Sequence, residues 1–499
     1  MFATIRLVAV CAAACVLSAC STQGPPRTVS GTFMITYQPE TGTPTSVPAP
    51  PWADPYLLGH RQDQGYRLEA LLVPDGSQSG YATFPATLGP DFSFSVPDVP
   101  SGSYFLTLSY DCILGDPSSH KCLQMTELTA SAPDLSMEWP CRPGIAYPTR
   151  ATNVALDLSG MQPWSSRDWI EFNSSQACLF NAFAWQFPPG PPLGATSFAG
   201  LTGWFDALPD ATKGDVVFLS QRFHGTLGGG AATFVVATQP VRLTDFSLAD
   251  GGTASLTRTL SPPTTGAFRL DLRWSQFARL AADVYPTATP GPSALSEMAA
   301  IPPNARSRNF GAAGLAYVST TNGATDDVDY GTLAYGQIPD PGWRELRKLE
   351  YDYRVSIAVP GSAPIVRTLT FFGYTFSPGL ATVPVLSPPK APQINGMDAF
   401  VQRAGVGLQP VLSWSKPAIG TPTSYRVLIE EIPADGTLPF LGATIRSRTS
   451  FKVPPNFLKT GSRYIATITA FLAGGDTSDR LQFDADWNTA PCITAVFSP

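Results

Sequence analysis

Charge is scarce in this 499-residue chain: only 14% of its residues are Asp, Glu, Lys or Arg, and no cluster of Lys or Arg stands out. Without a basic patch or stripe there is no electrostatic footprint for a phosphate backbone, so nucleic acid is excluded as a partner. Histidine is scarcer still, with His60, His120 and His224 alone. The chain has no His-Glu-x-x-His run and no Gly-Lys-Ser/Thr phosphate loop. It also has no Gly-x-Ser-x-Gly nucleophile elbow and no Arg-Gly-Asp tripeptide. None of Cys141, Cys178 and Cys492 has a histidine at ligand spacing and their own spacings are irregular, which argues against a metal site and leaves no cofactor expected. Long apolar runs are missing too, apart from one at the front, which falls short of the ~20 residues that span a bilayer.

That front run carries the most specific signal. Arg6 precedes an apolar stretch from Leu7 to Val16, and Leu17-Ser18-Ala19-Cys20 closes it. Small residues at 18 and 19 suit a signal peptidase. The four residues resemble a bacterial lipobox. The resemblance implies cleavage before Cys20, diacylglycerol on its sulfur and acylation of the new N-terminus. Several acyl chains hold a protein stably on a membrane, where one alone is marginal. Ser21 rather than Asp follows Cys20, which resembles an outer-membrane address. The full chain carries a net charge of −6, and losing Arg6 makes the mature chain about −7.

About 480 residues remain after the leader, enough for three or four domains. Fifty prolines and 43 glycines among persistent apolar alternation indicate many short strands and turns. The expected fold class is mainly β, a set of consecutive antiparallel β-sandwich domains with one short helix in the middle region. Of eight cysteines, Cys11 and Cys15 leave with the leader. Cys112 and Cys122 flank a hairpin-like loop, where an oxidising compartment favours a disulfide worth about 3 kcal/mol. Cys141, Cys178 and Cys492 permit one pair and one free thiol, with the choice open.

Residues 20–30 read as a tether, and strands follow at 31–37 and 66–73. Phe92, Phe94 and Val96 alternate onto one face, and a turn at Pro100 to Gly102 leads to Tyr104. This stretch resembles the prealbumin-like sandwich of carboxypeptidase regulatory-like domains, which implies a spacer or binding module over 31–141.

Residues 142–384 match no recognised family and read as one large β-rich domain, or two divided near a proline-rich stretch at 286–303. Phe268, Leu270, Leu272 and Trp274 alternate as a half-buried strand. Phe277, Leu280, Ala281 and Val284 follow at helical spacing behind Ser275, an expected N-cap, with Pro286 as the stop. Asp168, Glu171, Asp206 and Asp210 offer paired carboxylates for glycoside hydrolysis, which needs two at about 5–9 Å. His224 reads as the end of a strand, a structural residue rather than a base. Asp326, Asp327 and Asp329 read as a solvated turn ahead of a calcium loop. Trp164, Trp169, Trp185 and Trp204 read as core rather than as a sugar platform.

A proline-rich linker is expected at 385–392. Beyond it come Trp414, Tyr425 and the run Leu458 to Tyr464, a Leu-x-x-Gly-x-x-Tyr corner. These resemble a fibronectin type III domain over 393–475. The resemblance implies a core of Trp414 and Tyr425, with the Tyr464 hydroxyl satisfying a backbone group at the corner. Residues 476–499 form a C-terminal extension that either adds a strand or returns to the middle region. The reading is a non-enzymatic, lipid-anchored envelope protein whose partners are the membrane, through Cys20, and a protein or glycan ligand. The alternative is a surface hydrolase with its chemistry in 142–384.

Overall fold

The computed structural model describes residues 25–37, 45–48, 67–72, 81–111, 121–139, 142, 144–184, 191–203, 205–260, 265–285, 287–301, 313–321, 323–337, 343–375, 382–432, 440–446, 448–473 and 487–499. The expected leader and Cys20, Cys112, Cys141, His60, His120, Trp185 and Trp204 lie outside them, as does the side chain of Cys122. The chain is mainly β, with several packed sheets and one α-helix among the described residues.

One sheet of 16 strands runs the length of the molecule. It starts with middle-region strands, in the spatial order Leu179–Ala184, Trp169–Ser174, Val217–Leu227, Ala232–Leu243, Ala313–Thr321, Thr289–Ile301, Arg344–Ile357 and Ile365–Thr375. Strands Trp487–Ile493, Tyr464–Ala473, Ser424–Glu431 and Phe440–Ile445 come next. N-terminal strands Lys121–Leu128, Tyr104–Asp111, Arg67–Leu72 and Ala82–Pro85 finish it. The C-terminal unit therefore sits between the middle region and the N-terminal unit, so spatial order is not chain order. Open twisted sheets rarely exceed about 10 strands, and this one consists of three sheets zipped at two seams. At the first seam Phe372 pairs with Thr489, and the Tyr374 amide donates to Asn488 Oδ1 at 3.0 Å. At the second, Leu441 to Thr444 run parallel to Leu123 to Thr126. There the buried Glu127 carboxylate accepts from the Arg446 amide (2.7 Å) and from Arg448 Nε and Nη2 (3.0 and 2.7 Å).

In the middle region one face of this sheet is core, because alternate residues point to it. Ile170, Phe172, Val217 and Leu219 pack against a second sheet made of Phe198–Gly203, Asn153–Ser159 and Thr253–Thr259. Val236, Met298, Ala316 and Val318 pack against the pair Thr265–Leu272 and Val328–Gly336. Next along comes the helix Trp274–Val284, whose Phe277, Leu280, Ala281 and Val284 are buried. Trp274 and Phe277 stack on Tyr351 at 5.8 and 5.5 Å. The helix starts one residue ahead of the expected cap, so Trp274 belongs to it rather than to the strand before. The Ser275 amide donates to Asp327 Oδ1 at 3.1 Å.

Three boundaries differ from expectation. The stretch at 286–303 is not a loop: Thr289–Ile301 is an interior strand with Ala294 and Met298 to Ile301 buried, and no division falls there. Its prolines sit at the strand's start, beside a register shift between Pro290 and Ala294 where a ladder donor is dispensable. Leu386 to Pro389, within the expected linker, is buried, and Ser387 Oγ accepts from the amides of Ala418 and Ile419. The expected tether is already strand from Arg27, pairing with Ser93–Val99. The C-terminal extension, left open between adding a strand and returning to the middle region, supplies strand Trp487–Ile493 paired along Tyr464–Ala473.

The C-terminal unit is a two-sheet sandwich, with Met397–Asp398, Lys390–Ile394, Val411–Ser415 and Ser450–Lys452 forming the second sheet. Trp414 meets Tyr425 edge-on at 5.2 Å, Leu458 is buried, and the Lys459 amide donates to the Tyr464 hydroxyl at 2.9 Å. In the N-terminal unit Phe94, Val96, Tyr104 and Leu128 share one core, and Tyr110 pairs with Cys122 across the expected hairpin. Cys178 is disulfide-bonded and Cys492 is a buried free thiol.

Candidate functional site

The other face of the middle sheet is polar, and strand pairing assembles it from residues far apart in sequence. Trp169 lies opposite Arg222, His224 opposite Val235, Val235 opposite Tyr317, and Tyr317 opposite Glu297. Two-residue alternation adds Glu171 to the face of Trp169 and Leu295 to that of Glu297. Together with Ser166, Arg167, Asp168, Gly314 and Ala316 they line a cleft of about 750 Å³.

The rim is set by a loop that begins at Gly160. This residue has φ +69°, and a Cβ there would lie 2.6 Å from the Leu260 carbonyl oxygen, so only glycine turns the chain here. Trp164 buries its ring in the sandwich core. Gln221, fully buried, then pins the loop from below. Its Oε1 accepts from the Gln162 amide at 2.9 Å, and its Nε2 donates to the Gln162 carbonyl (3.2 Å) and to Asp168 Oδ2 (3.1 Å). Asp168 accepts three more bonds, from the Ser165 amide (2.9 Å), the Ser165 hydroxyl (2.5 Å) and the His224 amide (3.1 Å). Both carboxylate oxygens thus accept twice, which fills about all their lone-pair sites.

At the floor, Arg222 Nε donates to Glu171 Oε2 in a buried ion pair whose side chains are 7% and 3% exposed. Tyr317 lies close enough to feel both groups. Burial raises its hydroxyl pKa against the pull of Arg222, and Glu171 and Glu297 add to the rise. His224 titrates below its ordinary value because burial and the Arg167 cation disfavour the imidazolium, with Asp168 partly offsetting them.

The cleft therefore brings together Asp168, Glu171 and His224, but it leaves out Asp206 and Asp210. Asp206 is on the surface, and Asp210 caps a short 3₁₀ turn through the Thr212 amide. His224 lies inside strand Val217–Leu227 rather than at its end. Among the described residues no serine hydroxyl hydrogen-bonds to its imidazole. Trp169 is a cleft wall, which corrects its reading as core, whereas Trp164 is core. The Asp326–Asp329 cluster is divided: Asp329 pairs with Arg269, and Asp327 holds the helix start and pairs with Arg273. Arg222, Glu297, Tyr317 and Gly314 were not anticipated from sequence. Their one visible signal is the polar alternation of Arg222 and His224 around Phe223.

No family model matches the chain, and no curated protein matches it. Among solved structures, the FN1–FN3 domains of chicken CNTN1 are matched over 95% of this chain and 100% of that one, at 11% identity. The TM-score of 0.13 is too low for this likeness to carry an argument.

Proposed function

We propose that this chain is a lipid-anchored protein of the bacterial envelope that binds a ligand in the cleft of its middle region. The C-terminal unit is read as a fibronectin type III-like sandwich and the N-terminal unit as a prealbumin-like one. Both serve to hold the middle region away from the membrane. The observation that carries the reading is the state of the cleft's ionisable groups. Asp168 is occupied holding the rim, and Glu171 is buried against Arg222. Ser166 lines the same cleft as His224, but among the described residues no serine hydroxyl hydrogen-bonds to the His224 imidazole. Glycoside hydrolysis needs one carboxyl to deliver a proton and another to attack or activate water. These groups are arranged to hold shape and to present hydrogen bonds, which is recognition without turnover.

The anchor is tested by Cys20→Ser in the native host. Membrane fractionation and metabolic palmitate labelling should show an unlabelled protein released from membranes. Membrane retention without label defeats the anchor. The absence of turnover is tested by incubating the mature chain with neutral polysaccharides and peptides. New reducing ends or free amines that disappear in Glu171→Gln would favour the hydrolase.

A further inference from the structure

The cleft's chemistry narrows the ligand class, an inference that rests on the cleft being the ligand site. Arg222 is more than nine-tenths buried, yet Nε is its one hydrogen-bonded nitrogen among the described residues. Arg222 lines the cleft, and its Nη2 lies beside Gly314 with donors to offer. A Cβ placed on Gly314 would lie 3.4 Å from Arg222 Nη2 and 3.8 Å from Glu297 Oε1, so a donor and an acceptor flank the same small space. That space exists because residue 314 has no side chain. The Trp169 ring stands directly across the strand pair from Arg222, and Tyr317 lies between Arg222 and Glu297 on the same face.

The balance of charge excludes other ligand classes. Two arginines and three carboxylates line the cleft, so an anion meets a net negative site. A cation meets Glu171 already paired with Arg222 and Asp168 already accepting four hydrogen bonds. An apolar ligand would strip water from the guanidinium and give nothing back, which costs several kcal/mol. At about 750 Å³ the site has the size of small-ligand pockets, roughly 300–1,000 Å³, and not the broad contact of a protein partner. A molecule with adjacent hydroxyls, each both donor and acceptor, and with an apolar C–H face for an indole, answers all of these features. We infer that the cleft binds a neutral saccharide, with Arg222 and Glu297 bridging adjacent hydroxyls over Gly314 and Trp169 stacking on the sugar ring.

The test is a carbohydrate array of neutral glucan, mannan, galactan and chitin oligosaccharides, with uronate and sialylated oligosaccharides and a peptide library alongside. The probes are the mature chain, Gly314→Leu and Trp169→Ala, each checked by thermal melt. Gly314→Leu fills the space between Arg222 Nη2 and Glu297 Oε1, which lie 3.4 and 3.8 Å from a Cβ there. The wild type should bind at least one neutral series. Both variants should lose it about tenfold or more with melting unchanged, while Val366→Ala, on an exposed strand position, should keep it. Binding of acidic sugars or peptides alone, lost in Gly314→Leu, overturns the saccharide while leaving the cleft as the ligand site. Neutral-sugar binding that survives both variants overturns the cleft itself. A wild type that ignores every neutral series also overturns the inference.

Discussion

The seam between the N-terminal and C-terminal units turns on one carboxylate, and Glu127→Ala measures what it holds. Glu127 is 2% exposed and receives the Arg446 amide and two nitrogens of Arg448, whose guanidinium also lies 5.6 Å from the centre of the Phe105 ring. Removing one partner of a buried ion pair costs about 3–5 kcal/mol. Arg448 is 29% exposed, so water recovers part of its solvation and the expected loss is about 2–4 kcal/mol. The loss should appear as local opening of the parallel pairing between Lys121–Leu128 and Phe440–Ile445. Hydrogen exchange read by mass spectrometry should then speed up about 30- to 1,000-fold in those two strands. The interior strand Arg344–Ile357 should keep its protection. Acceleration below about threefold, or an equal acceleration in Arg344–Ile357, would refute the seam as a separate unit held by this carboxylate.

Three further outcomes follow from single residues. His224 has its pKa lowered by burial and Arg167, so the unfolded chain takes up the proton first as pH falls below about 6.5. Stability on this account is complete above that pH and declines as pH drops through the folded value. His224→Gln should lessen the fall in melting temperature between pH 7.5 and 5, and an unchanged fall would exclude the effect. Burial pushes the Cys492 thiol up to about 12, so iodoacetamide should alkylate it only in denaturant. In the same digest, non-reduced mapping should join Cys178 to Cys141, because the Arg142 amide donates to Gln176 at 2.8 Å beside that turn. A Cys178–Cys122 link would contradict it.

Much of the local structure was legible because it is encoded by neighbours in sequence. The spacing of Phe277, Leu280, Ala281 and Val284 gave the helix, and alternation at 268–272 and 349–357 gave strands with their buried faces. The corner at Leu458 to Tyr464 was readable for the same reason. Proline misled where its position within an element mattered more than its abundance. Pro290 and Pro292 lie at the tolerant start of a strand, and Pro388 and Pro389 lie packed against the sandwich rather than in solvent. The site itself depends on long-range pairing. Glu171 and Arg222 meet across 51 residues, and Tyr317 with Glu297 joins them only once register is fixed. Asp168 and Glu171 were singled out as carboxylates, but their partners decide what they do, and sequence does not show partners. The same limit hid the insertion of the C-terminal unit between the other two, since no local pattern announces the parallel pairing with Lys121–Leu128.

The claim at the centre of this account is that the polar sheet face over Gly314 is where ligand sits. A crystal structure of the mature chain with the neutral oligosaccharide it binds best tests that claim most directly. The account expects a sugar ring against Trp169 with hydroxyls in hydrogen-bond reach of Arg222 Nη2 and Glu297. A sugar seated on any other surface, with this cleft filled by solvent, would contradict it.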